Sequence, residues 1–577
     1  MVQKREETVI RIVGHAQDGV QSLGSLLAKL AGRSGYQVMT YMTIPATIAG
    51  GSSVYQLRIG VNPILTSGDV SDLLIALHQD SLDAHKNALK KGGMLLTDSD
   101  QVKECEGVDF EKHFAIPMSI KMNELLEGRG ARGKNMFLLG MLCNLLGIDE
   151  AKVEQLAVEK FGSKGEAVIG NVRKAIQAGF KYEWDNGYPE IALQAVENPP
   201  NQVTMDGNSA VAYGLIASGI RYGAAYPITP ATSIMEMLRE ELPKYKGIFV
   251  QTEDEIAAVC AAIGMSYSGH LAVTSTSGPG MSLKMEALGW AVMAEMPLIV
   301  VNVQRGGPST GIPTQVEQSD LMQTLYGSHG DAPKVVLAAR NVEECFHICR
   351  EAVKLAREFS TPVYILSDQG LSTRIEGFQM PDLDEVMIEP VLDLSDRPED
   401  FLPYPPEGIT QHAPPGTKIL SGKYPTVTGL EHDEKGNPNP SPDNHMKMSA
   451  KRREKIKLIE KQSVEPEFYG DKEGDVLLVS WGSSFGSARE TTMRLQEQGK
   501  KVSHMHVKMI FPLKKSIGSV FEKFKDVYTV ELNDEGVYGV GQFGMLLRST
   551  TCCSNIQSIC KTDGLTFKVS EIMDRLS

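Results

Sequence analysis

The chain has 577 residues, enough for about three to five domains with large buried cores, so one site can be shared between domains. Its 72 acidic residues against 58 basic ones give a formal charge of −14, which disfavours the broad basic surface that grips a phosphate backbone and sets nucleic acid aside. No stretch approaches the ~20 apolar residues of a membrane helix, and the start of the chain lacks a hydrophobic signal core, so a cytoplasmic protein with no membrane span is expected.

The alternation TVIRIVG from Thr8 to Gly14 predicts a strand, and Val20, Leu23, Leu27 and Leu30 recur at helical spacing after a short loop. Up to about residue 190, short strands such as YQLRIGV and GGMLLTD alternate with helical segments such as NMFLLGMLCNLLG, the signature of βαβ units on a parallel sheet. This predicts a first α/β domain over 1–190, followed by a proline-containing linker over 191–207.

A second α/β domain is expected over 208–392. In YPITP, Pro227 and Pro230 bracket Ile228 and Thr229 just before a helix, so the two rings fix φ around Thr229 and present it rigidly. By itself a threonine there is an ordinary capping residue. QTEDEIAAVC places Glu253, Asp254 and Glu255 in the first turn of the next helix, where the macrodipole alone accounts for acidic residues. The loop TSTSGPG then carries Gly278 and Gly280, which allow close approach of a ligand or simply a tight turn. Arg305 directly follows the apolar strand IVVNVQ; a guanidinium at a strand's carboxyl end suits a bidentate grip on a small carboxylate.

From 393 to 470 the chain is proline-rich and polar, then charged and helical around KRREKIKLIEK, which predicts a long surface connection. DVLLVSWG, KVSHMHV and DVYTVEL give the strands of a last α/β domain over 471–577. The eight cysteines form no C-x-x-C pair, so the chain is expected to hold no iron–sulfur cluster and no metal; Cys345 and Cys349, four apart on a helix, read as buried reduced thiols.

Taken in order, YPITP, QTEDE-IAA, TSTSGPG and RGGPSTG-IPTQ-EQSD resemble the α subunits of 2-oxoacid:ferredoxin oxidoreductases, most nearly those of the 2-oxoglutarate type. The resemblance covers nearly the whole chain: the first domain is similar to the family's γ component fused ahead of α, GLEHDEKGNP to its connector, and VSWGSSFGSARE with FPL to its last domain. It implies an α/β fold of three domains with mainly parallel sheets, including a thiamine-diphosphate-binding pyrimidine-type domain and a transketolase C-terminal-like domain. One departure is Gly14-His15-Ala16-Gln17-Asp18-Gly19-Val20, where the family shows G-x-G-G-Q-G-V.

The resemblance further implies a CoA-dependent enzyme that interconverts 2-oxoglutarate and succinyl-CoA with ferredoxin as electron partner. Thiamine diphosphate would be shared with a β subunit in an (αβ)₂ heterotetramer, and Mg²⁺ and a [4Fe-4S] cluster would belong to β, since this chain has no G-D-G motif. Glu255 aligns with the glutamate that hydrogen-bonds the pyrimidine nitrogen N1′, with Glu253 and Asp254 as alternatives. Pro227, Ile228 and Gly278 would line the cofactor, and Arg305 and Thr229 would hold the substrate carboxylate. A second carboxylate needs a further cation, for which Lys121, Arg129, Arg132 and Lys134 are the candidates, although a solvated role is the ordinary one for such residues. Two other functions stay open: a degenerate dinucleotide fold built on G-H-A-Q-D-G, weakened by the missing second glycine, and a non-catalytic scaffold subunit. The same chemistry on pyruvate or branched 2-oxoacids is the alternative substrate reading.

Overall fold

The computed structural model describes residues 4–43, 52–127, 133–184, 187–197 and 199–577. They form two compact units. The first comprises the chain up to Asp206 together with 373–380 and 568–570; the second comprises 207–372, 381–567 and 571–577.

The first unit is built on an eight-stranded sheet in the order Phe110–Ile116, Leu89–Asp98, Ser71–Ala76, Glu7–His15, Ser52–Gly60, Gln37–Thr43, Ile375–Gln379, Gln202–Asp206. Its first four strands are parallel, as βαβ connections require. The other half is antiparallel, which the expectation of a simple parallel sheet did not contain. The cause is the connection over 44–51, too short for the crossover of a dozen or more residues that parallel pairing needs. Ser52–Gly60 therefore lies antiparallel to the preceding strand Gln37–Thr43, and its other edge pairs antiparallel with Glu7–His15. The expected linker also contributes an edge strand, Gln202–Asp206, anchored where Gln202 Nε2 donates to the carbonyls of Gly32 at 2.7 Å and Tyr36 at 2.9 Å. Helices Val20–Arg33 and Lys134–Leu146 pack apolar side chains such as Leu23, Leu27, Phe137 and Leu142 into one core with the sheet.

The second unit holds two sheets. Seven strands run in the order Met509–Phe511, Val335–Ala338, Pro362–Asp368, Leu298–Gln304, Ala272–Thr276, Tyr222–Ala225, Ile248–Gln251, all parallel except the Met509–Phe511 edge. The central strands are buried along their whole length, which is why IVVNVQ and AVTST read as unbroken runs rather than alternations. The last sheet has the order Glu467–Tyr469, Val502–Val507, Gly474–Trp481, Phe524–Glu531, Ile556–Cys560. One continuous apolar cluster, including Val300, Leu321, Trp481 and Phe543, joins the two sheets.

The segment 393–470 is largely exposed and irregular up to Ser441, as its composition predicts, but it is fastened at buried points that the composition does not show. Tyr404 and His432 are buried, and helix Pro442–Gln462 turns Lys451 and Lys455 inward onto the carboxylate of Glu295, which follows helix Gly278–Met293. Charged residues read as solvated in a sequence because their partner, here more than 150 positions away, is invisible to local pattern. Among the described residues no helix is long and apolar enough to cross a membrane.

Candidate functional site

Strands Leu298–Gln304, Ala272–Thr276, Tyr222–Ala225 and Ile248–Gln251 are neighbours and parallel, so the segments that follow them leave the sheet at one edge. Those segments carry Arg305, Gly278, Pro227 to Thr229, and Glu255. Four stretches up to about eighty residues apart in sequence thus converge at a carboxyl edge, the place where open α/β sheets bind ligands.

The three acidic residues after Ile248–Gln251 separate by environment. Asp254 is the N-cap of helix Glu255–Tyr267, its Oδ1 accepting from the Ala257 amide at 2.7 Å, and Glu253 is exposed. Glu255 is buried, 7 % exposed, and faces the start of helix Gly278–Met293. A methyl group on Gly280 would lie 2.7 Å from Glu255 Cγ and 2.2 Å from Thr276 Oγ1, so only glycine lets that helix start pass the carboxyl. A methyl on Gly278 would similarly meet Asp320 Oδ1 at 2.7 Å.

Arg305 is 6 % exposed and donates from Nη1 to the Thr229 carbonyl at 2.6 Å, tying the YPITP loop to the neighbouring segment. Asn208 Nδ2 holds the same loop through the Pro230 carbonyl at 2.8 Å. The Thr229 residue itself is exposed, while Pro227 and Ile228 are half-buried. Arg305 Nε, Ser275 Oγ and Ser277 Oγ are buried with no partner among the described residues. A carboxyl and a guanidinium on one sheet edge, with glycines that bring the main chain close to both, have the chemistry to meet a ring nitrogen and a small carboxylate.

A cavity of about 650 Å³ opens beside Arg305, lined also by Glu317, Asp320, Gln323, Asp534 and Thr562. Burial pushes the Asp320 carboxyl up to about 6, although Asn302 Nδ2 donates to its Oδ2 at 3.0 Å and Arg305 opposes the rise. Burial also raises the Glu317 carboxyl, which accepts from Ser319 Oγ at 3.1 Å. Glu317 and Asp320 are the acids of the EQSD motif, to which the sequence assigned no role; Lys284 and Asn302 had no signal at all. Three carboxylates around one guanidinium make the cavity ill suited to a bare diphosphate.

The remaining cations fall in the first unit. Lys134 is buried and paired with Asp98 at 3.2 Å and Asp18 at 3.7 Å, so it is committed internally. Lys121 is exposed, its ammonium 5.4 Å from the centre of the Tyr182 ring. Arg129 and Arg132 lie outside the described residues. The departing loop Gly14–Val20 folds on its own acid: Asp18 Oδ2 accepts from the His15 amide at 2.7 Å and pairs with His78 Nε2 at 2.8 Å. That carboxylate occupies the amide a dinucleotide phosphate would need, which weakens the dinucleotide reading. His15, Asp18 and His78 cluster within 4.8 Å, yet the two rings stack at 3.9 Å and 7°, so their in-plane lone pairs run parallel instead of converging on an ion. Cys345 and Cys349 are buried and unbridged on helix Val342–Phe359, and Cys349 Sγ contacts the carbonyls of Cys345 at 3.3 Å and Val211 at 3.5 Å.

Comparison with known proteins agrees with this geometry. Residues 213–451 match the family model of the pyruvate flavodoxin/ferredoxin oxidoreductase thiamine-diphosphate-binding domain; 9–182 match pyruvate ferredoxin/flavodoxin oxidoreductase, and 474–572 match core domain II of pyruvate:ferredoxin oxidoreductase. The 2-oxoglutarate oxidoreductase subunit KorA of Mycobacterium tuberculosis is 36% identical over 99% of this chain and 91% of its own length. The chain belongs to the 2-oxoacid:ferredoxin oxidoreductase family. Within that family, the 2-oxoglutarate synthase subunit KorA of Methanothermobacter marburgensis is 34% identical but covers only 64% of this chain while spanning 97% of itself. The 2-oxoglutarate:ferredoxin oxidoreductase from Magnetococcus marinus, solved with 2-oxoglutarate, coenzyme A and succinyl-CoA bound, superposes with a TM-score of 0.89 at 33% identity over 99% of both chains. The oxidoreductase fold and its thiamine-diphosphate-binding domain are therefore those expected from the motifs.

Proposed function

We propose that this chain supplies the aminopyrimidine side of the thiamine diphosphate site in a CoA-dependent 2-oxoglutarate:ferredoxin oxidoreductase, interconverting 2-oxoglutarate and succinyl-CoA. The observation that carries the reading is the buried Glu255 carboxyl against Gly280, on the same sheet edge as Arg305, in a chain alike from end to end to a relative that binds those substrates. When bound, the cofactor supplies the nucleophilic carbon and the electron sink.

The residues of this chain do the rest. Glu255 shares a proton with the ring nitrogen N1′ through its inward carboxyl oxygen. Pro227 and Ile228 form an apolar wall, and Gly278 lets the ring approach the main chain. Arg305, held by the Thr229 carbonyl and lining the cavity, offers its guanidinium to the substrate's 1-carboxylate, and the Thr229 hydroxyl reaches the same group or the keto oxygen. The acidic cavity and the missing G-D-G motif favour a β subunit as the holder of diphosphate and Mg²⁺, and the absence of a cysteine motif favours β as the holder of the [4Fe-4S] cluster that reduces ferredoxin. The family resemblance extends the proposal to an (αβ)₂ assembly in the cytoplasm. Arg305 is the one cation among the described residues lining the cavity, so the distal carboxylate of 2-oxoglutarate takes its partner from elsewhere, with Lys121 or β as the source.

The test is CoA-dependent reduction of ferredoxin or a viologen by the chain co-expressed with its β subunit. A strong preference for 2-oxoglutarate over pyruvate and branched 2-oxoacids is expected. Glu255→Gln should preserve assembly and lower turnover by about 100-fold or more; unchanged turnover would remove Glu255 from its role, and no activity with any 2-oxoacid would leave the scaffold reading.

A further inference from the structure

Lys284 is among the largest fully buried side chains of the protein, 0 % exposed, on helix Gly278–Met293. An ammonium placed in a core is normally answered by a carboxylate at contact distance, because desolvation is otherwise uncompensated. No carboxylate of the described residues lies within 4.0 Å of it. Its Nζ donates instead to the main-chain carbonyl of Glu255 at 3.0 Å and to Thr274 Oγ1 at 3.1 Å.

Helix Gly278–Met293 therefore meets Glu255 twice. Gly280 clears the space that the carboxyl occupies, and Lys284, four residues on and one turn along the same face, holds the main chain that carries it. The charged and titratable groups around the ammonium are Glu255, Asp254 and Cys260. Burial pulls the ammonium down to about 8, with the Glu255 charge as the first influence in the opposite direction.

Building on the proposed role of Glu255, we propose that Lys284 is its positioning residue: it pins the Glu255 main chain at the start of its helix and so fixes where the buried carboxyl sits. An apolar residue of similar length would fill the same space, so packing alone does not call for an ammonium here.

The experiment compares Lys284→Met, Lys284→Arg and Thr274→Val in the complete complex with β. Three quantities are read: kcat and the KM for the 2-oxoacid, the affinity for thiamine diphosphate from intrinsic fluorescence, and amide hydrogen exchange of peptides covering 255–262 before cofactor is added. In Lys284→Met, kcat at saturating thiamine diphosphate should fall by about tenfold with the KM for the 2-oxoacid little changed, because a carboxyl that is no longer held in place meets its partner less often. Exchange in the first turns of the helix should accelerate by about tenfold as local opening becomes easier, and cofactor should bind more weakly. Lys284→Arg, which keeps a donor for the Glu255 carbonyl, should retain most of kcat, and Thr274→Val should lower it by less than Lys284→Met does. An assembled Lys284→Met complex with unchanged kcat and unchanged exchange overturns the proposal. If Lys284→Met fails to assemble, Thr274→Val decides by the same readouts. Glu255→Gln, run in parallel, separates the two ideas: full turnover in that variant removes the role of Glu255, whereas exchange at 255–262 still reports the tether.

Discussion

Three acidic side chains in a row show how much a single residue's surroundings decide. Asp254 spends its carboxylate on the Ala257 amide, Glu253 points to solvent, and Glu255, one position on, is turned inward against Gly280. The family resemblance singled out Glu255 with Glu253 and Asp254 as alternatives, and burial now separates the three. Asp320 was not readable, because its significance lies in being buried beside Arg305 rather than in any spacing. Its folded-state pKa of about 6 stands above the ordinary 3.8, so the folded protein binds the proton more tightly than the unfolded chain. Its cost to stability is accordingly absent below about pH 3.8, grows as pH rises towards 6 and is complete above that. Asp320→Asn should raise unfolding stability at pH 7 by up to about 3 kcal/mol, with little gain at pH 4, as measured by urea denaturation at both pH values. A carboxylate kept at such a cost beside a guanidinium marks a working site more than a structural one.

Among the elements, helix Pro442–Gln462 is the one whose sequence misleads. Its charges suggest a solvated surface, yet Lys451 and Lys455 close on Glu295, with Thr410 and the Ser360 carbonyl completing their donors. The two ammoniums hold the Glu295 carboxyl down to about 2 against the opposing effect of burial. Its folded pKa being lower than the ordinary 4.5, its stabilisation is present above about pH 4.5 and is lost as pH falls towards 2. Glu295→Gln should cost about 3–5 kcal/mol at pH 7, because two buried ammoniums lose their counter-charge. Replacing Glu295, Lys451 and Lys455 together by Gln, Met and Met should cost much less, and denaturation midpoints of the two variants test this. An equal loss in both would mean that packing of the helix, not its charges, fastens the connector.

For the molecule as a whole, the site proposed on the second unit is half-built: it offers the buried Glu255 carboxyl and the Arg305 guanidinium beside an acidic cavity ill suited to a bare diphosphate. The isolated chain should consequently bind thiamine diphosphate at least about 100-fold more weakly than the complex with β and show no dye reduction, since each half alone forfeits the other's contacts. Isothermal titration of the chain with and without β measures this directly; tight binding by the chain alone would contradict the division of the site.

The sequence by itself determined the element types, the second and third sheets and the family, because buried parallel strands, glycine loops and strand-to-helix junctions leave local signatures. It also singled out, through the family resemblance, Thr229, Glu255, Gly278 and Arg305, which lie in the segments that follow four neighbouring strands. What tertiary structure alone decided is everything that depends on distant partners: the antiparallel half of the first sheet, the burial of the connector on Glu295, the commitment of Lys134 to Asp98, and the reach of Lys284 to the Glu255 carbonyl. The physical reason is common to these cases. Propensity and periodicity are properties of neighbours along the chain, whereas the desolvation of a charge and the pairing of a strand edge are set by whatever the fold brings alongside.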